Sequence, residues 1–130
     1  MRRILIPLLF SVTLCAAQEA VTPPIVSRKY HRATIADIAA GKVHHTHLEV
    51  QGWVTYVRRE DDGDLHIRIC NSPKVKTLNR ARCLILECIP RMPCPAPDIG
   101  KKIAAHGIQR FDNEVNHLWY ELHPVEEGFW

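Results

Sequence analysis

Two pairs of ionisable residues have the spacing that places both members on one face of a β-strand. Asp64 is followed two positions later by His66, and Glu121 is followed two positions later by His123. Side chains two residues apart in a strand point to the same side of the sheet. Carboxylates and imidazoles bind divalent metals, and they also transfer protons in general acid–base catalysis. The two pairs are therefore candidates for a chemical site.

Glu87 and Asp112 join this group: Glu87 lies in a predicted strand, and Asp112 opens the turn that follows another. One interpretation of the group is a divalent metal site or a proton-transfer site. The candidate metal ligands are Asp64, His66, Glu121 and His123. The other interpretation is a hydrogen-bonded polar network that closes one end of a barrel, with acidic side chains bonded to turn amides. The sequence leaves both interpretations open.

A β-hairpin is the first element that must position these residues. Residues 46–70 alternate apolar and polar side chains on both sides of a turn at Asp62-Gly63, which predicts two half-buried strands. The predicted inner side chains are those of Leu48, Val50, Val54, Tyr56, Leu65, Ile67 and Ile69. The predicted outer side chains are those of Glu49, Gln51, Trp53, Thr55, Asp64, His66 and Arg68. This outer face is the first candidate for ligand binding.

A short helix is predicted before the hairpin. Thr34 is a candidate N-cap, Asp37 lies in the capping-box position, and Gly41 ends the helix after two or three turns. So short a helix needs tertiary packing, and we expect it to lie against one end of the barrel. Farther on, His45 and His47 share a strand face. A polar strand entrance is favoured over metal binding there, because no further ligand adjoins them.

Three more strands are predicted after the hairpin. Residues 82–89 are almost continuously apolar, as in a strand buried on both faces. The next strand, 101–111, has a predicted bulge near Gly107, and the last covers 117–125. The inner side chains predicted for the last strand are those of Leu118, Tyr120 and Leu122. Five strands and one helix in a chain of this length predict an all-β fold, a five-stranded OB-like barrel with a short N-terminal helix.

The N-terminal residues have the pattern of a secretory signal. Two arginines precede an apolar run that ends at a small-residue cleavage site, Cys15-Ala16-Ala17. The run is too short for a permanent membrane span, so we expect export to the periplasm or the exterior, with a lipoprotein route through Cys15 left open. The predicted divisions are a signal peptide (1–17), an extended lead-in (18–33), the barrel with its helix (34–126) and a tail (127–130).

Signal removal changes both the charge and the cysteine count. Loss of two arginines leaves 15 of the 17 basic residues against 14 acidic ones, so bulk charge gives no argument for a polyanionic partner. Four cysteines in a small exported chain predict two disulfides. Antiparallel pairing of the second and third strands favours Cys70–Cys83, which leaves Cys88 to close a short loop with Cys94. A four-cysteine zinc site is the less favoured alternative, because the paired spacing is incomplete.

The chain from 45 to 126 resembles small exported bacterial proteins of the OB fold. The similar segments are V-x-G-x-V at 50–54, the D-G-D-L-H hairpin at 62–66, E-x-x-P at 87–90 and E-x-H-P-V at 121–125. Such proteins are mostly of unassigned function. The resemblance therefore implies the fold and export.

A second resemblance is to exported nucleases of the staphylococcal type, which are also OB-folds. The hairpin before Asp64 and the segment from Arg82 to Glu87 are similar to that family's motifs. The resemblance implies that Asp64 binds calcium, Arg82 binds phosphate and Glu87 is the second metal carboxylate. The chain departs from the pattern at Leu65, where the family has threonine, and at Arg91, in the region of the general-base glutamate.

A non-catalytic binding module is the favoured function, because OB barrels commonly bind ligands through aromatic and basic side chains. The candidate ligand-binding residues are Trp53, His66, Arg68, Trp119, Glu121 and His123. The expected ligand is extracytoplasmic, either single-stranded nucleic acid, an oligosaccharide or a protein. The alternative is a metal-dependent phosphodiesterase that uses Asp64, Arg82 and Glu87.

Overall fold

The computed structural model describes residues 29–129. The predicted signal peptide and the lead-in up to residue 28 lie outside the described residues. The described elements are β1 (His31–Arg32), α1 (Ile35–Ala39), β2 (His47–Arg59), β3 (Leu65–Cys70), β4 (Cys83–Cys88), β5 (Lys102–Asp112) and β6 (Trp119–Phe129). No helix in this part of the chain has the length and apolar character needed to cross a membrane.

The five long strands close into a barrel. The strand order is β1-β2-β3-β4-β6-β5, and β2 also pairs with β5. β4 and β6 run parallel, whereas the other pairs of long strands are antiparallel. The predicted all-β fold, a five-stranded OB-like barrel with a short N-terminal helix, is confirmed.

The barrel interior is filled by the apolar side chains that alternate along the strands. On β2 this alternation holds from Leu48 to Val54 and then breaks, because the pairing with β3 shifts register between Val54 and Tyr56. An extra residue in one strand reverses which side chains face inward. Tyr56 is consequently 40% exposed, and Val57 packs against the core instead. The prediction that Tyr56 faces inward was wrong.

The helix α1 packs against the barrel beside β2. As predicted, Thr34 is its N-cap: the hydroxyl accepts a hydrogen bond from the Asp37 amide at 3.1 Å. Ile35 and Ile38 are buried in the core, and Gly41 turns the chain away with a φ of 68°. A Cβ at Gly52 would lie 2.8 Å from Ile35 Cδ1 and 3.1 Å from the backbone oxygen of Cys70, so Gly52 leaves space into which Ile35 packs.

The ends of the described chain are more ordered than the sequence predicted. β1, within the predicted lead-in, pairs in parallel with β2, and β6 continues through 127–129 of the predicted tail to pair with β5. The predicted bulge at Gly107 is confirmed by a register shift on both sides of it. Leu118 was predicted to face inward but is 48% exposed, because it precedes β6 and has a φ of 54°.

Both predicted disulfides are confirmed. Cys70 and Cys83 are opposite one another on β3 and β4, and their Cα atoms are 4.0 Å apart. Cys88, at the end of β4, bonds to Cys94 in the proline-rich connector, across a sequence separation of 6. The two bridges therefore hold both ends of β4.

Removal of each bridge should destabilise the barrel according to the length of the loop it closes. The separations are 13 residues for Cys70–Cys83 and 6 for Cys88–Cys94. Chain entropy predicts a loss of about 3 kcal/mol for the first and roughly 2 kcal/mol for the second. Urea unfolding of the two double-alanine variants measures both free energies. A larger loss on removal of the Cys88–Cys94 bridge would contradict the loop-length account.

Candidate functional site

An acidic and histidine-rich cleft lies where β3, β4 and β6 run side by side. On β3 and β4, His66 is opposite Glu87. On β6, Glu121 is opposite Ile85, so that Glu121 and His123 lie beside the end of β4. We call this region, with a cavity volume of about 610 Å³, the acid–histidine cleft. The D-x-H and E-x-H pairs of the sequence therefore lie on either side of β4, and Glu87 stands between them.

Two glutamates in the cleft converge on a single imidazole nitrogen. Nδ1 of His123 lies 3.2 Å from Oε2 of Glu87 and 3.4 Å from Oε1 of Glu121. Nε2 of His66 lies 3.5 Å from the same oxygen of Glu87. The side chains of Glu87 and Glu121 are only 11% and 4% exposed. Both carboxylates are thus largely shielded from water, and side chains of the protein supply their polar contacts.

The two glutamates have pKa shifts of opposite sign. Burial raises the pKa of Glu121, and the nearby charge of Glu87 raises it further. Burial acts in the same direction on Glu87, but contacts with His66, Asp64 and His123 outweigh it and lower the pKa of Glu87 to about 2. Burial and a hydrogen bond with Glu87 raise the pKa of Asp64. Contact with Glu87 raises the pKa of His66. Glu87 is therefore the strongly ionised member of the cleft.

Asp112 also lies at this cleft, but its partner is a residue that the sequence reasoning missed. Its carboxylate contacts Nδ1 of His117, and Glu114 lies 3.8 Å from the same nitrogen. The His117 ring stacks on Trp119 at 4.3 Å. The indole N–H of Trp119 in turn donates to Oε2 of Glu121 at 3.3 Å. Trp119, a predicted ligand-binding residue, thus connects the pair of Asp112 and His117 to the glutamates. The sequence offered one sign of this pair, because Asp112 and His117 are only five residues apart on either side of a predicted turn.

One residue of the nuclease-like set, Arg82, lies apart from the other two. Asp64 contacts Glu87, but Arg82 precedes β4 and its side chain donates to Oδ1 of Asn71 at 3.1 Å. Five residues of extended strand separate Arg82 from Glu87 by about 16 Å. A phosphate bound at the carboxylates would therefore lie far from this arginine.

Arg68 lies on the outer face of β3 but is covered. The residue is 9% exposed, and its guanidinium donates to Oγ1 of Thr55 at 2.8 Å and to the backbone oxygen of Lys76 at 3.1 Å. It also lies over the ring of Tyr56. These contacts connect the β2 irregularity to the loop that follows β3. The donors predicted to face a ligand are thus used within the protein.

Trp53, the other outer-face aromatic, lines a separate and larger cleft. This α1 groove lies between the helix α1, the segment that follows it and the outer face of β2, and its cavity volume is about 990 Å³. Gln51, Asn71 and Lys102 also line it. The groove is at the Cys70 end of β3, whereas the acid–histidine cleft is at the Leu65 end. The predicted outer face is therefore divided between two clefts.

The histidines around the start of β2, His45 and His47, do not point to one place in the structure. The ring of His45 stacks on His31 at 3.8 Å, and His45 lines the α1 groove. Nδ1 of His47 instead lies 3.1 Å from Glu126, on β6. The two side chains are therefore engaged with different partners.

Comparison with known proteins assigns no family. No protein-family model matches the sequence, and no curated protein matches it. Function must therefore be inferred from the two clefts.

Shortening Arg68 should destabilise the fold, because its hydrogen bonds join two segments. In Arg68→Lys the planar group that reaches both Thr55 and Lys76 is lost, and we expect a decrease of about 1–3 kcal/mol in the free energy of unfolding. Arg58→Lys is the matched control, since the Arg58 side chain is 59% exposed and should tolerate the change. Equal urea midpoints for the two variants would show that Arg68 does not hold these segments.

Proposed function

We propose that this protein is an exported, non-catalytic binding module, acting in the periplasm or outside the cell, that holds a single-stranded nucleic acid in the α1 groove. The observation that carries the proposal is Trp53, an aromatic side chain in a groove of about 990 Å³ with lysines at its border. Grooves of this size accommodate small ligands or segments of a polymer. OB barrels bind oligonucleotides and oligosaccharides on comparable surfaces.

The charges around the groove favour an anionic ligand. Its basic lining residues are Arg32, Lys42 and Lys102, and Asp37 is the acidic residue among those that line it. Arg32 is paired with Glu49 at 2.7 Å, and the Asp37 carboxylate accepts a hydrogen bond from Thr34. The two lysines have no salt bridge within residues 29–129. Two cations are thus available for phosphate groups, although the whole chain carries little net charge.

Trp53 supports a ligand with flat faces. Successive bases of single-stranded nucleic acid stack on aromatic side chains, and each stack contributes about 1–3 kcal/mol. The amides of Gln51 and Asn71, which line the same groove, offer both donors and acceptors to base edges. Stacking, amide contacts and phosphate neutralisation together describe a nucleic-acid site better than any one of them alone.

The two disulfides support export. Disulfides persist in oxidising compartments and are rare in the cytosol, where thiols are kept reduced. The bridges Cys70–Cys83 and Cys88–Cys94 use all the cysteines of the described chain. The secretory pattern of the first 17 residues agrees with this compartment.

Fluorescence anisotropy with a labelled oligothymidylate tests the proposal. We expect Trp53→Ala to weaken binding roughly 5–150-fold, the equivalent of one lost stack. Lys42→Glu/Lys102→Glu should weaken it more and should reduce its dependence on salt. Lys74→Glu/Lys76→Glu is the matched control, because it changes the net charge equally at exposed residues that do not line the groove.

Equal losses in the two charge-reversal variants would show that binding is non-specific, and the proposal would fail. An acidic and a neutral oligosaccharide are the comparison ligands. Tighter binding of either, abolished by Trp53→Ala, would assign the groove to carbohydrate instead. Urea unfolding of each variant confirms that the barrel is intact.

A further inference from the structure

We propose that the acid–histidine cleft is a metal site, in which Glu87, Glu121 and His123 bind one divalent transition ion of the Zn²⁺ type. This site is independent of the proposed nucleic-acid groove, because the two lie at opposite ends of β3. His66 in the cleft and Cys70 in the groove are separated by about 13 Å of extended strand. The ligand set differs from that predicted from sequence, since Glu87 replaces Asp64 and His66.

The donor atoms already have the spacing of a small coordination shell. One atom from each of the three residues lies within 4.8 Å of the others. The distances from Nδ1 of His123 to the two glutamate oxygens are 3.2 Å and 3.4 Å. Tetrahedral zinc, with bonds of 2.0–2.2 Å to nitrogen and oxygen, places its ligands about 3.3–3.6 Å apart. An ion could therefore be bound with little movement of the side chains.

The acid–histidine cleft favours a cation, because seven of its lining residues are acidic and only two, Arg58 and Arg110, carry a fixed positive charge. Two nearly buried carboxylates face one nitrogen, and a single N–H cannot donate a full hydrogen bond to both. Two carboxylate charges buried side by side repel one another, and a cation between them removes that repulsion. A divalent ion between the three donors would neutralise both glutamates.

The neighbouring side chains orient the ligands. The indole N–H of Trp119 holds Oε2 of Glu121, which leaves Oε1 directed towards His123. His66 lies beside Oε2 of Glu87, and its other nitrogen lies 3.6 Å from Glu60. Ligating carboxylates in metal sites are held by outer partners of this kind. We therefore assign Trp119 and His66 as positioning residues rather than ligands.

The donor set selects among metals. An imidazole suits zinc and other transition ions, whereas magnesium and calcium prefer shells made entirely of oxygen. Three protein ligands at the edge of a cleft of about 610 Å³ leave room for water or another ligand in the fourth position. The site thus resembles an open zinc centre more than a closed structural one.

Calorimetric titration of the untagged, oxidised protein with ZnCl₂ after treatment with EDTA tests the assignment. We expect one ion to bind at the cleft. In both Glu121→Gln and His123→Ala the dissociation constant should be at least tenfold higher. Trp119→Phe should weaken the affinity roughly 10–100-fold through loss of ligand orientation. Cobalt(II) should report the same site by absorption, in the wild type but not in Glu121→Gln.

A second group of donors nearby supplies the control. Asp112, Glu114 and His117 also have ligand atoms within 4.8 Å of one another, but Glu114 is exposed. Glu114→Gln removes a donor of this second group at a side chain that is 77% exposed, and it should leave zinc affinity within about threefold of the wild type. The proposal is overturned if zinc fails to bind below about 100 μM, if calcium binds more tightly than zinc, or if Glu114→Gln removes binding that Glu121→Gln retains. Circular dichroism and urea unfolding identify any variant that has lost the fold.

Discussion

Closure of the sheet by β2 is the constraint on which the rest of the structure depends. Its residues 47–53 pair with β5, and its residues 53–59 pair with β3, so a single strand completes the barrel. Near the exchange of partners, Gly52 leaves the space that Ile35 of α1 fills. The same arrangement determines where the two clefts lie. The α1 groove forms beside the middle of β2, whereas the acid–histidine cleft forms at the far end of β3, where β4 and β6 meet.

Much of the fold could be predicted from local sequence, because alternation and turn residues determine the strands. The expected antiparallel pairing of the second and third strands also led to the correct partner for Cys70, which lies opposite Cys83. One error arose where an extra residue altered the register. Tyr56 follows such an irregularity, so that Val57 rather than Tyr56 faces the core. The extension of β6 to Phe129 depends on β5 as a partner, which is a long-range feature.

The candidate sites were only partly predictable. The E-x-H spacing placed Glu121 and His123 on one face of β6, whereas Asp64 precedes β3 and meets His66 only through Glu87. The central role of Glu87 follows from the strand order β3-β4-β6, which no local pattern records. Arg68 has the expected strand position, yet the backbone of Lys76 accepts its hydrogen bond and its side chain is covered. The α1 groove joins Lys42 to Lys102, residues that only the closed barrel brings together. Burial and long-range pairing thus decided which residues are available for ligands.

The proposed separation of an anion-binding groove from a cation-binding cleft is tested most directly by amide NMR of the ¹⁵N-labelled oxidised protein. Zn²⁺ and an oligothymidylate are added to separate samples. Zn²⁺ should shift the amides around Glu87, Glu121 and His123, whereas the oligonucleotide should shift those around α1, Trp53 and Lys102. Two distinct sets of shifted amides would support two sites on one barrel. A single shared set, or shifts spread over the whole surface, would contradict it.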